Sequence, residues 1–212
     1  MPNETPVQLS GAMLSDLAQR GDLRSFSRRE QVIAEGDPSD LLYILVTGQL
    51  KVFTRDEKGR ELVYNILQPG EFFGEMFLDG GPRSASVTAL VDSQCIAVDH
   101  AEIRCFMKAY PEFAECLALK LIERLRHATQ QTKGLALSGV YERTALLLNE
   151  VALDEGGELV ISATLTQQEI ADRVGATREM INHILRDLIR GGFLFKREDR
   201  RMVIAKSLPK HW

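Results

Sequence analysis

Short apolar runs separated by turn signals fill the chain from Leu23 to about Val98, and longer stripes at helical spacing fill most of the remainder. The turn signals are GDPSD at 36–40, TGQ at 47–49, DEKGR at 56–60, QPGE at 68–71 and DGGPR at 79–83. Strands at that spacing predict a small antiparallel barrel or roll. LKVFT and ELVYNIL flank DEKGR with roughly alternating polarity, which predicts a hairpin with Gly59 at positive φ. Before the strands, 12–20 predicts a short helix. After Asp99 the pattern turns helical, and Pro111 suits the first turn of a long helix. Ala114, Ala118, Leu121, Leu125, Ala128, Thr132, Leu135 and Gly139 recur at alternating spacings of four and three, a heptad seam. Such a seam suits a parallel helix of a second copy, or the roll of its own chain. Gly134 and Gly139 predict a hinge where the seam ends.

A second unit follows. An apolar-striped helix at 140–153 leads through DEGG at 154–157 to the strand-like ELVIS at 158–162. Thr166 and Glu169 then form a T-x-x-E capping box, which starts a helix at about Gln167. Ala171, Val174, Gly175, Ile181, Ile184, Leu185 and Leu188 supply the buried side of a helix, a tight turn and a second helix. Thr177 can cap that second helix, and Gly191 with Gly192 can end it. FLF and MVI, joined by KREDRR, predict a two-stranded wing. The local signals specify a winged helix-turn-helix.

Charge sharpens this reading. The net charge over 212 residues is −4, yet residues 164–212 hold ten basic against six acidic side chains. A basic last quarter points to a polyanion. On the second helix Arg178, Glu179, Asn182, His183 and Arg186 turn away from the apolar stripe. Arg can give guanine O6 and N7 a bidentate pair, Glu can accept from cytosine N4, and Asn or His can reach base edges. Thr166, Gln167, Thr177 and Arg200 join them as candidate DNA contacts. Arg190, Lys196, Arg197, Arg200 and Arg201 suit phosphates, which position a protein without reading sequence.

The remaining composition narrows the classes. Cys95, Cys105 and Cys116 are odd in number and widely spaced, so they suggest neither a CxxC site nor a secreted disulfide framework; all three are expected as small core residues in a reducing cytoplasm. The first ten residues lack the pattern of a signal peptide, and runs such as LLYILV at 41–46 are too short to span a bilayer. No Gly-rich loop followed by Lys, no H-E-x-x-H and no G-x-S-x-G occurs, so no enzyme is expected.

One stretch remains, GEFFGEMFLDGGPRSASVTA at 70–89. Glu75 beside Gly74 can accept hydrogen bonds from hydroxyls, and Arg83, Ser84 and nearby backbone N–H groups can hold a phosphate. Together they look like a sugar-phosphate grip.

That stretch and the C-terminal unit resemble the family of the cyclic-AMP receptor protein and its fumarate-nitrate relatives, from about Leu14 to Ile204. The resemblance implies an α+β chain. A cyclic-nucleotide-binding jelly roll at 12–110 leads into a long dimerisation helix with its hinge at 111–138, and a winged helix-turn-helix follows at 139–212. It implies a homodimeric transcription regulator of palindromic double-stranded DNA, with RNA polymerase as a further partner and a small effector, cyclic AMP first, between roll and long helix. The glutamate of the family's cassette takes the ribose 2′-hydroxyl and its arginine-serine pair the cyclic phosphate; the positions here are Gly74, Glu75, Arg83 and Ser84. The other reading of Glu75 and Arg83 is an inherited structural ion pair.

Departures from the family bear on the ligand and the site read. Only seven residues separate Glu75 from Arg83, a shortened loop. The threonine-serine pair that holds adenine in the receptor falls on Ala128 and Thr129, with Thr132 one turn on as a substitute. Some relatives respond to cyclic di-GMP and some to no nucleotide, so both stay open. His183 replaces the second reading arginine, and loss of a bidentate pair, about 1–3 kcal/mol, predicts weaker preference at one base pair. The family's iron-sulfur members carry an N-terminal cysteine cluster, and there is no cysteine before Cys95. His100, Cys95 and His127 are expected as structural or surface residues, and neither a metal nor a required cofactor is assigned.

Overall fold

A computed structural model describes residues 11–38 and 40–209. The reading of the first ten residues lies outside those described. Two compact units divide them: 11–54 with Val63–Ala128, and Arg55–Leu62 with 129–209.

The first unit is an antiparallel roll of two four-stranded sheets. One sheet is ordered β1 (Asp22–Phe26), β8 (Ser93–Asp99), β3 (Leu41–Thr47), β6 (Phe72–Phe73). The other is ordered β2 (Gln31–Ile33), β7 (Ser86–Ala89), β4 (Leu50–Arg55), β5 (Glu61–Leu67). β3 pairs with β8 from Leu41 opposite Asp99 to Leu45 opposite Cys95. Its unbroken apolar run follows from burial on both faces. Tyr43 and Leu45 join Leu50, Leu67, Phe73, Val87 and Cys95 in one core. Leu42 and Ile44 face Met13, Leu17, Ile103, Phe106, Phe113 and Leu117 in another. Those partners come from α1 (Gly11–Arg20), α2 (His100–Ala109) and α3 (Pro111–Leu137). Asp99 caps α2 by accepting from the Glu102 N–H at 2.8 Å.

α3 removes one alternative: its heptad seam does not pack on the roll, because Leu121 and Leu125 are exposed, the latter 67%. The stripe that meets the roll is instead Phe113, Leu117 and Lys120, all buried, at spacings of four and three. Gly134 does not interrupt the helix, which continues through it to Leu137 and breaks at 138–139. Gly139 instead begins the next helix as its N-cap. The cysteines also divide. Cys95 is buried, and burial pushes its thiol up to about 12. Cys105 is exposed and Cys116 half-buried, so the expectation of three core residues fails for Cys105.

In the second unit α4 (Val140–Val151), α5 (Gln167–Val174) and α6 (Arg178–Arg190) enclose a core of Leu148, Ile161, Ile170, Ala171, Ile181, Leu185 and Leu188. The predicted two-stranded wing is half of a four-stranded sheet. Its order is β11 (Leu194–Lys196), β12 (Met202–Ile204), β10 (Glu158–Ile161), β9 (Leu153–Glu155). The turn at Gly156 and Gly157 folds β9 back on β10. Among the described residues, no helix is long and apolar enough to cross a membrane.

Gly175 sets the corner between α5 and α6. It takes φ 66° and ψ 52°, and its N–H donates to Ala171 O. A Cβ there would stand 3.0 Å from Leu135 Cδ2. Gly175→Ala is expected to destabilise this unit by about 1–2 kcal/mol, the cost of a left-handed residue with a side chain. Urea denaturation followed by circular dichroism checks it; an unchanged midpoint would remove the left-handed requirement.

Candidate functional site

The cassette starts where β6 ends. Gly74 takes φ +82°, and a Cβ there would lie 2.5 Å from Arg83 Nη1 and 3.2 Å from Leu41 O. Only glycine leaves room for the arginine. Arg83 is 5% exposed; its Nη1 donates to Gly74 O at 2.6 Å and its Nη2 to Leu41 O at 2.7 Å. Its guanidinium also stands 6.0 Å over the Tyr43 ring, which stacks on Phe73. The loop is tied down by Arg83 N–H donating to Asp37 O and Gly36 N–H donating to Arg83 O. Burial lowers the Arg83 pKa, with Tyr43, Glu75 and Asp40 opposing that shift. An anion brought beside this guanidinium would likewise favour its charged form. Ser84 follows, exposed.

Glu75, 9% exposed, opens a short 3₁₀ turn over Glu75–Asp79. Its Oε1 lies 2.7 Å from Arg124 Nη1. Arg124 also donates to Phe72 O and stands 5.5 Å over the Phe72 ring. One turn earlier on α3, Lys120 Nζ reaches Glu71 Oε1 at 2.8 Å and Glu123 Oε2 at 3.0 Å. Sequence reasoning missed Lys120, Arg124 and Glu71. Their signal was present: Lys120 and Arg124 extend the Phe113 and Leu117 stripe at spacings of three and four, but the stripe changes from apolar to basic.

Gly74, Glu75, Arg83 and Ser84 share the first unit, and Tyr43, Glu75 and Arg83 interact electrostatically. Thr129 and Thr132 are exposed positions of α3 grouped with the second unit. A separate cleft of about 590 Å³ opens against the loop, lined by Asp40, Asp79, Pro82, His100 and Arg104 among others; it does not include Glu75, Arg83 or Ser84. His100 Nε2 accepts from Arg104 Nε at 2.7 Å. Among the described residues, no group of three His, Cys, Asp or Glu side chains could hold a metal ion.

In the second unit the predicted capping box is present: Glu169 N–H donates to Thr166 Oγ1 at 3.2 Å and Thr166 N–H to Glu169 Oε2 at 2.6 Å. Thr177 caps α6 by accepting from the Met180 N–H at 3.3 Å. The stripe of Ile181, Ile184, Leu185 and Leu188 is buried, leaving Arg178, Glu179, His183 and Arg186 exposed and Asn182 half-buried. Gln167 Nε2 donates to Asn182 Oδ1 at 3.2 Å, so two candidate contacts hold each other. His183 Nε2 lies 3.3 Å from Asp187 Oδ2.

The wing arginines divide. Arg201 pairs with Glu155 and Asp199, and Arg197 with Glu155 and Glu158. The Arg201 backbone N–H and then its guanidinium hold the Asp199 carboxyl below its ordinary value, while Asp199 and Glu155 raise Arg201. Arg197 and Arg201, both candidates for phosphate contacts, are thus ion-paired with acids of β9, β10 and the β11–β12 turn. Arg200, at φ 69° on the turn, is exposed.

Comparison with known proteins now identifies both parts. Residues 23–110 match a cyclic nucleotide-binding domain, and residues 142–209 match a Crp-like helix-turn-helix domain. A CRP-like cAMP-activated global transcriptional regulator of Mycobacterium tuberculosis is 35% identical over 187 residues, covering 86% of this chain and 83% of the relative. The chain belongs to the CRP/FNR family. It is a DNA-binding transcription regulator with a cyclic nucleotide-binding domain, and the family is not an enzyme family.

Two solved structures carry the same fold. A CRP/FNR-family transcriptional regulator of Thermus thermophilus superposes with a TM-score of 0.70 at 26% identity, over 87% of this chain and 94% of that one. A c-di-GMP responsive global regulator of Xanthomonas campestris superposes with a TM-score of 0.79 at 22% identity, over 92% and 98%.

The Lys120 pair gives a pH dependence for this CRP/FNR chain. Burial lowers the lysine's pKa, and the hydrogen bonds it donates to Glu71 and Glu123 outweigh that effect, so the net shift is upward from 10.5. A raised folded pKa means the contribution is complete below the unfolded value and is lost as pH rises through the folded one. Lys120→Met is therefore expected to cost roughly 1–3 kcal/mol at neutral pH, with the gap from wild type closing only above about pH 10.5. Urea midpoints across that range check it; a gap that closes near neutrality would contradict it.

Proposed function

We propose that this regulator is a homodimer whose affinity for a palindromic DNA site is set by a small effector, cyclic AMP by preference, seated at the cassette. The observation that carries the effector reading is Arg83, buried, aimed by the carbonyls of Gly74 and Leu41 and followed by the exposed Ser84. In this reading Glu75 takes the ribose hydroxyl, and Arg83 with Ser84 takes the phosphate. Thr129 and Thr132 stay candidates for the base on the resemblance alone. The relative from Mycobacterium tuberculosis, which is cAMP-activated, supports the choice.

Residues 12–110 then sense, 111–138 dimerise through the exposed Leu121 and Leu125 seam, and 139–212 bind DNA. Arg178, Glu179, Asn182, His183 and Arg186 face base edges in the major groove. Arg200, with Thr166, Gln167 and Thr177, lies toward phosphates. A dimer places its half-sites about 34–36 Å apart, one DNA turn. RNA polymerase is the further partner of such a cytoplasmic regulator. A second reading has cyclic di-GMP, or no nucleotide, in place of cyclic AMP. Ala128 favours it, standing where the resemblance puts a hydroxyl, and one structural relative is c-di-GMP responsive.

Calorimetry with cyclic AMP, cyclic GMP and cyclic di-GMP separates the readings, alongside DNA titrations on a palindromic TGTGA-type site at fixed salt. Cyclic AMP is expected to tighten DNA binding. Gly74→Ala and Ser84→Ala should each weaken nucleotide binding by about tenfold, the worth of a charge-assisted hydrogen bond, without changing nucleotide-free DNA binding. A response to cyclic di-GMP alone selects the second reading. Equal DNA binding with every nucleotide and with none overturns effector control.

A further inference from the structure

Tyr43 is buried in β3, and the register of its sheet explains what surrounds it. It pairs with Ala97 of β8 on one side and with Phe73 of β6 on the other. Side chains alternate along a strand, so Leu45 and the Cys95 opposite it share the face of Tyr43, and so does Arg24, the β1 partner of Cys95. Arg24 and Tyr43 then converge over Ala97, whose side chain is small enough to leave room for both. Arg24 Nη1 donates to the Tyr43 hydroxyl at 3.4 Å. On the other side the rings of Tyr43 and Phe73 stack, with centroids 5.2 Å apart and planes at 13°.

Arg83 meets this pair. β3 gives its guanidinium Leu41 O, two residues before Tyr43, and the end of β6 gives it Gly74 O, one residue after Phe73. The guanidinium carbon lies 6.0 Å from the Tyr43 ring centroid. We infer that Tyr43 is a positioning residue for the phosphate-binding guanidinium of Arg83, and that Arg24 holds Tyr43 in place from the far edge of the sheet. The inference rests on the reading proposed above that Arg83 takes the phosphate of a cyclic nucleotide.

Two acceptors define a line through a guanidinium and leave its tilt about that line to other contacts. The negative face of an aromatic ring attracts a cation and so limits the tilt. Arg83 is buried, and the attraction is strongest in a desolvated site. Tilt matters to a cyclic phosphate, because its two exocyclic oxygens leave phosphorus in different directions. A planar fork held at one angle favours one of them, as a rotating ammonium would not. Phe73 fixes the face of the Tyr43 ring, and Arg24 fixes its outer end. Leucine at 43 would fill much of the same space and remove the face.

The test is calorimetry on the full-length chain with cyclic AMP and with its two phosphorothioate diastereomers, in each of which sulfur replaces one exocyclic oxygen. Wild type is expected to bind one diastereomer about tenfold more tightly than the other, one charge-assisted hydrogen bond gained or lost. Tyr43→Leu should weaken cyclic AMP about tenfold, the worth of a desolvated cation over a ring, and bring the diastereomer ratio to within about twofold of unity. Tyr43→Phe, which keeps the face, should weaken cyclic AMP only about threefold and keep the ratio. Arg24→Met should match Tyr43→Phe, and the double variant should lose no more than either, because both remove the same hydrogen bond. Leu50→Val loosens the same core away from Arg83 and should leave the ratio at its wild-type value. With urea midpoints for each variant, that comparison separates lost positioning from lost stability. A Tyr43→Leu protein with the wild-type ratio overturns the inference, as does a wild type that binds both diastereomers equally or a Leu50→Val protein that loses the ratio. Additive losses from Arg24→Met and Tyr43→Phe overturn the part assigned to Arg24. A wild type that binds no cyclic AMP overturns the effector reading itself, and the inference with it.

Discussion

Two cations on one face of the long helix, Lys120 and Arg124, hold two acids four residues apart at the cassette, Glu71 and Glu75. Much else in the first unit depends on that ladder. It fixes which face of α3 meets the roll, and therefore which face carries Leu121 and Leu125 outward. It also makes Glu75 a shared residue. The carboxylate proposed to accept a hydroxyl from a ligand is the one that Arg124 holds, and Arg124 holds Phe72 O as well. A ligand that draws on Glu75 must therefore act on the helix, and the reverse also holds. Such coupling can only be as large as the ligand's difference in affinity between the two arrangements. Arg83 differs in kind, because backbone carbonyls, those of Gly74 and Leu41, accept from its guanidinium.

What the sequence made legible was local. The turn signals, the capping box of Thr166 with Glu169, the left-handed Gly175 and the apolar stripe of α6 each lie within a few residues of the group they act on. For the cassette the structure adds why Gly74 is glycine: a guanidinium from nine residues away occupies the space of its side chain. The misses were nonlocal or chemically disguised. The stripe of α3 that packs on the roll switches from Phe113 and Leu117 to Lys120 and Arg124. An apolar count therefore selects the neighbouring seam, which is exposed. Gly134 lowers helix propensity by about 1 kcal/mol relative to alanine, too little to break the 27-residue helix Pro111–Leu137.

The wing shows the same limit in charge counting. Ten basic residues after 163 pointed to a polyanion. The hairpin of β9 and β10 comes from the acidic stretch before them and delivers Glu155 and Glu158 to Arg197 and Arg201. Net charge over a segment does not say which cations are left for a partner, because a sheet pairs residues that the chain keeps about forty positions apart.

α6 divides along similar lines. Asn182 is engaged by Gln167 and His183 by Asp187, whereas Arg178, Glu179 and Arg186 carry no ion pair among the described residues. Arg178 and Glu179 stand on the first turn, whose backbone Thr177 fixes by its cap. Their side chains keep their rotamers and their full donor and acceptor capacity, on a backbone that is already ordered. In the proposed groove geometry, direct readout is therefore strongest at the N-terminal end of α6. One turn on, the side chains arrive with their geometry set by neighbours, which trades strength for a dependence on what those neighbours do.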